Sequence, residues 1–244
     1  MRTPEYTVTQ SSKAKNIRLK VTPEDGLAVV IPRGFDESKI PAILRRKKTW
    51  ISEKLEQAEE RRRFFEPRPI VHLPEQLPLR ALGQEWRIMY RGDESKAGLW
   101  LRAADLEIVL SGVLFDRSAV IAKLREWMRL KVREELFPLV RQIAAKKGFC
   151  VHDLMVKSQR TRWASCSSKK NLSLNTKLLF LSPDLVRYVI THELCHTVYM
   201  NHSREFWRLV ACHEPGYRTL DRTLRDAWKM VPAWSLSLSS EAPG

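Results

Sequence analysis

Residues 182–207 read SPDLVRYVITHELCHTVYMNHSREFW, and the rest of the chain is interpreted outward from them. Ser182 is placed to cap a helix, Pro183 suits the first helical position, and Asp184 favours the positive end of the helix dipole. Leu185, Val189 and Cys195 fall on or near one apolar stripe that Ile190 and Leu194 widen, so the spacing predicts a buried, rigidly held helix. On that helix His192 and His196 lie one turn apart, roughly 6 Å from each other on one face, where both imidazoles can meet a single metal ion. Glu193 sits one residue round, within reach of a water at the metal without being a ligand. Ligands and general base supplied by one helical turn form the arrangement of zinc hydrolases.

His202 stands at the offset of the third histidine in the HExxHxxGxxH pattern. The helix must therefore end near Met200–Asn201 so that the chain can return. Tyr199 occupies the place of the glycine in that pattern, and Asn201, which tolerates a left-handed backbone, is expected to make the turn instead. Ser203 then caps a second helix carrying Phe206, Trp207 and Val210. Glu214 and His213 stay open as alternatives to His202, because another class of zinc peptidase takes a glutamate from about that distance downstream. Cys195 reads as a small buried apolar residue, since it points away from the face shared by the two histidines. His72 and His152 read as surface or core residues.

Composition narrows the class. The chain has 244 residues, 43% of them hydrophobic, with eight tryptophans, which is ample for a core. Cys150, Cys166, Cys195 and Cys212 form no CxxC pair, so a zinc ribbon is not expected. The first residues hold no apolar signal region, and no run approaches the ~18 residues needed to span a bilayer. A reducing, cytoplasmic location is the expectation. Net charge is +15. The clusters at 45–48 and 61–63 interleave with Glu53, Glu56, Glu59 and Glu60 and read as a solvated helix. The overall surplus, however, is of the sign that attracts nucleic acid non-specifically.

Periodicity gives the remaining organisation. Ile17, Leu19 and Val21 alternate with polar residues as a half-buried strand, and 27–31 forms a second, joined by a turn at Glu24-Asp25-Gly26. Residues 36–64 are helical, with Ile40, Ile43, Leu44, Ile51 and Leu55 inside, and 67–78 is a proline-rich connection. Short strands are expected at about 79–82, 85–90, 98–102 and 106–110, punctuated by Gly83, Gly92 and Gly98. A long helix over about 117–147 should bend at Pro138. Residues 154–165 and 171–175 read as two strands around a polar turn at 167–170. The strand just before the histidine helix is the expected edge that pairs with an extended peptide. Trp163 is expected to pack.

Arg162-Trp163-Ala164-Ser165-Cys166-Ser167, Leu174-Asn175, Tyr188-Val189-Ile190-Thr191-His192-Glu193-Leu194-Cys195-His196, Asn201-His202-Ser203 and Phe206-Trp207 follow one another in the order found in the YgjP-like metallopeptidase family, which the chain resembles. The likeness is dense over 150–230 and fainter elsewhere, at Pro32-Arg33-Gly34 and Trp50-Ile51. It implies a zincin-like core with His192, His196 and His202 as ligands and Glu193 as the catalytic residue. It also implies kinship with SprT-like and WLM metalloproteases, some of which act on proteins crosslinked to DNA. The chain departs from the pattern at Ala164, where the family usually has glycine.

The resulting expectation is an α+β fold: a β-rich N-terminal region with one long helix over 1–112, a zincin-like helical metallopeptidase core with a small sheet over 113–234, and a flexible tail over 235–244, read as one continuous unit. The expected function is zinc-dependent hydrolysis of peptide bonds in a peptide or protein substrate, with no membrane partner and non-specific nucleic-acid association through the basic surface. Tyr217 is the candidate oxyanion stabiliser. The alternatives are a nucleic-acid-associated module with a structural zinc site, or a hydrolase of a non-peptide amide.

Overall fold

A computed structural model of the chain describes residues 4–12, 14–22, 26–64, 72–92, 99–112, 116–159 and 161–236. Glu24, Asp25, Gly98, residues 67–71 of the proline-rich connection and residues 237–244 of the tail lie outside the described residues. Helices and small sheets are mixed along the chain, as an α+β fold requires. The chain divides into two compact units, 1–66 and 67–244, rather than near 112.

The first unit is a three-stranded sheet, β1 (Tyr6–Ser11), β2 (Arg18–Thr22) and β3 (Gly26–Pro32), with helices α1 (Ile40–Arg46) and α2 (Lys48–Phe64). The order is β1-β3-β2, with β1 parallel and β2 antiparallel to β3. Leu27, Val29 and Ile31 alternate inward on β3 and bury against Ile40, Leu44 and Ile51. The sequence reading carries no strand over 6–11. β1 is an exposed edge of mostly polar residues, and only its pairing with β3 defines it. The expected single helix breaks at Lys47. On α2, Arg62 and Arg63 both pair with Glu59 at 3.0 Å, as a solvated helix would.

The second unit opens with a four-stranded sheet of β4 (Gln76–Leu79), β5 (Gln84–Gly92), β6 (Leu99–Ala104) and β7 (Glu107–Gly112), in the order β4-β5-β7-β6. The strand expected at 79–82 lies earlier, at 76–79, and residues 80–82 form a 3₁₀ turn. Arg80 explains the shift: its guanidinium donates to the carbonyls of Phe180 (3.4 Å) and Met230 (3.2 Å), which draws that turn off the sheet. Pro78 is tolerated because β4 is an edge strand.

The long helix consists of α3 (Arg117–Lys131), a π turn (Val132–Leu136) and α4 (Phe137–Lys147). Pro138 sits in the first turn of α4. Its ring has no N–H and crowds the carbonyl four residues earlier, and the widened turn just before it relieves that crowding. The expected bend thus takes the form of a π bulge. Residues 233–236 form a short helix, α8 (Ala233–Leu236), instead of a free tail. Arg125 holds it by donating to the Trp234 carbonyl at 3.0 Å.

The segment expected as two strands contains three: β8 (Asp153–Lys157), β9 (Ala164–Cys166) and β10 (Asn171–Asn175), ordered β8-β10-β9. β10 leads through a buried 3₁₀ turn (Thr176–Phe180) into α5 (Pro183–Cys195). Then follow α6 (Arg204–His213), α7 (Tyr217–Asp226) and a 3₁₀ turn (Ala227–Met230). Eight residues of α5 are buried, from Leu185 to Cys195, so it is the rigid platform its pattern predicts. Among the described residues no helix is long and apolar enough to cross a membrane.

Candidate metal centre

α5 begins at Ser182, whose carbonyl accepts the Val186 N–H at 3.0 Å while its hydroxyl makes no capping bond. The helix ends at Cys195, earlier than expected, in overlapping turns that place the Val198 and Tyr199 N–H groups on the Cys195 carbonyl. Asn201 is not left-handed. Its side chain instead accepts the Ser203 N–H at 3.2 Å, an Asx turn that redirects the chain, and Ser203 then caps α6 by accepting the Phe206 N–H at 3.3 Å.

This path brings His202 back to the helix. The ligand atoms that His192, His196 and His202 can offer all lie within 4.8 Å of one another. The Nε2 atoms of His192 and His202 are 3.1 Å apart. Phe206 underlies all three rings, stacking on His196 at 4.4 Å, and Trp207 closes against His192 and His202 at 5.7 and 5.6 Å. His196 is fixed further by a 2.9 Å contact between its Nδ1 and the carbonyl of Tyr199. Burial, then the neighbouring imidazoles His196 and His202, push the His192 pKa down to about 4. Burial likewise lowers that of His196. Neutral imidazoles with free lone pairs are what a cation needs. His202 is exposed, so the cluster opens to solvent on its side.

Glu193 faces β9. Burial pushes its pKa up to about 7, against the opposing effects of a hydrogen bond from the Cys166 backbone N–H and the charge of Arg162. The sheet explains why that N–H is available. Ser167 N–H reaches the Asn171 carbonyl and Asn175 N–H reaches the Trp163 carbonyl, each at 3.0 Å. Odd-numbered residues therefore face β10, and by alternation the backbone groups of Ala164 and Cys166 point to the open side of β9. β10 is central and has no free edge, so the edge beside the histidine helix is β9, not the strand directly before that helix.

Asn175, fully buried, holds the approach to β9. Its amide donates to the carbonyls of Gln159 (2.6 Å) and Arg162 (2.7 Å), and its oxygen accepts the Lys177 N–H. Trp163 packs, stacking on Trp228 at 3.8 Å. Ala164, buried, pairs in regular register with Leu174.

The other candidates lie elsewhere. Glu214 accepts from Arg187 at 3.3 Å and is absent from the histidine cluster. His213 packs on Phe149 and accepts at its carbonyl from Lys147. Cys195 is buried in the core, its thiol pushed up to about 12 by burial. Tyr217 stacks on Trp207 at 5.4 Å and so meets the histidines only through that indole; its hydroxyl accepts from Arg218 at 3.3 Å. The sequence reading missed two main-chain groups, the Cys166 N–H and the Tyr199 carbonyl, since backbone groups leave no residue-type signal.

Among solved structures the chain is similar to the metallopeptidase zymogen abylysin of Pyrococcus abyssi, with 24% identity over 36% of this chain and 91% of that one, at a TM-score of 0.33. It is also similar to the metallopeptidase zymogen jannalysin of Methanocaldococcus jannaschii, with 20% identity over 38% of this chain and 95% of that one, at a TM-score of 0.34. No curated protein matches. A family model described as YgjP-like, metallopeptidase domain, matches residues 15–227, and the chain belongs to that family.

Proposed function

We propose that the chain is a zinc-dependent metallopeptidase in which His192, His196 and His202 hold the ion and Glu193 is the general base. The donor set fits: three neutral imidazole nitrogens converge and one side stays open. That composition suits zinc at a catalytic site, whereas a structural site closes with four protein ligands. When bound there, zinc supplies Lewis acidity that polarises a scissile carbonyl and acidifies a water.

The chain's own groups do the rest. Glu193 takes the proton of the attacking water and returns it to the leaving amine, and a pKa near 7 suits that exchange at neutral pH. The Cys166 N–H holds the carboxylate at the open side of β9. There the outward N–H and C=O of Ala164 are oriented to pair with an extended peptide. Tyr217, at the margin of the ring cluster, is the side chain we assign to oxyanion stabilisation. The observation that carries this reading is the union of a three-histidine cluster with a buried carboxylate tied to a sheet edge. We also propose weak, sequence-indifferent association of the basic surface with nucleic acid.

The test is incubation of zinc-loaded protein with a mixed peptide library, read by mass spectrometry. New peptide termini that vanish on chelation and return with zinc are expected. Cleavage unaffected by chelation would refute the metal-dependent reading.

A further inference from the structure

His192 and His196 differ in what holds the ring nitrogen that turns away from the cluster. For His196 it is the Tyr199 carbonyl, 2.9 Å from Nδ1. His192 directs Nε2 at His202, so its Nδ1 points outward, and among the described residues no hydrogen bond engages it. An imidazole that holds a metal almost always donates its second N–H to a carboxylate, carbonyl or water, which fixes the tautomer.

One carboxylate brings its charge to the His192 ring: Asp221, on α7. It is firmly held. Its Oδ1 accepts the Tyr188 hydroxyl at 3.2 Å and its Oδ2 accepts the Arg225 guanidinium at 2.8 Å. Tyr188 lies one turn before His192 on α5, with its ring edge-on to that imidazole at 6.0 Å. Burial, and then the charge of Asp221 itself, keep the Tyr188 phenol protonated, so it remains a donor to Asp221. Each carboxylate oxygen accepts more than one hydrogen bond, so Asp221 keeps capacity for another donor. The alternatives are engaged elsewhere, Glu193 with the Cys166 N–H and Glu214 with Arg187.

We infer that Asp221 is a positioning residue of the metal centre: it receives the second ring proton of His192, directly or across one water, and so fixes the tautomer that presents Nε2 to the ion. Tyr188 and Arg225 in turn hold Asp221. This rests on the reading of the three histidines as ligands.

Zinc dissociation constants from chelator competition test it, alongside melting of the metal-free variants. Asp221→Ala should weaken zinc binding about 10- to 100-fold. Asp221→Asn should fall between that and wild type, because its amide oxygen still accepts but carries no charge. Arg225→Ala removes a partner of Asp221 and spares the carboxylate, so zinc affinity should stay within about twofold of wild type while melting falls. Wild-type zinc affinity in Asp221→Ala would overturn the inference, as would equal losses in Asp221→Ala and Arg225→Ala, which would mean that α7 had merely loosened. His192→Ala separates the two readings. If it abolishes zinc binding while Asp221→Ala does not, only the role of Asp221 fails. If it leaves affinity unchanged, the ligand reading fails and the inference fails with it.

Discussion

α5 and the segment that follows it, from His196 to Phe206, contribute to one site by opposite means. α5 offers His192, His196 and Glu193 from a single turn of a helix buried along most of its length. The segment after it carries His202 on exposed chain, returned by an Asx turn, a serine cap and a phenylalanine beneath the rings. The first region gains its precision from core packing, which one surface substitution barely disturbs. The second gains it from a few local hydrogen bonds, each of which can be removed alone.

The largest effect should come from the platform. His192→Ala and His196→Ala should each abolish tight zinc binding, measured as zinc content by plasma emission spectrometry. Wild-type content in either variant would break the comparison at its root. Glu193→Gln should leave zinc content nearly unchanged while peptide hydrolysis falls about 10²- to 10⁴-fold, in assays on any library peptide that wild type cleaves.

The returning segment should respond next. His202→Ala should cut zinc affinity sharply in a chelator titration, whereas Glu214→Ala should remove only the partner of Arg187 and leave affinity nearly unchanged. The reverse pattern would transfer the third ligand to α6's C-terminal end. Ser203→Ala removes the cap and should lower stability by about 1 kcal/mol in chemical denaturation, with a few-fold weaker hold on zinc because His202 adjoins it. The smallest effect lies outside both regions. Labelled oligonucleotides should show weak anisotropy changes at low salt that vanish near physiological salt, as counterion release requires.

The two regions were also unequally legible. α5 could be read because its signals are contiguous: Pro183, the apolar stripe and the paired histidines fall within one element. The turn could be read only in part. The return of His202 follows from its offset, but the means does not, because Asn201 can redirect a chain by a left-handed backbone or by its side chain, and the latter occurs. β1 escaped because an exposed edge strand needs no apolar alternation. The split of 154–165 into β8 and β9 escaped because a three-residue strand is defined by its distant partner, β10. The boundary at 66/67 escaped because the β4–β7 sheet has its own strand pattern yet packs with α3 and the 3₁₀ turn at 176–180.

The hydrogen bond from residue 166 to Glu193 has a consequence for which amino acids that position accepts. The thiol of Cys166 is held neutral, pushed up to about 11 by burial and then by the nearby Glu193, and its Sγ contacts the Ser167 carbonyl. What reaches the base is the proton on the backbone nitrogen. Serine, alanine or valine at 166 would bring the same proton to the same place, and only proline, which has none, would withdraw it. The position is thus permissive toward nineteen side chains and closed to one for a reason of connectivity, so that Cys166→Pro should impair catalysis where Cys166→Ser does not.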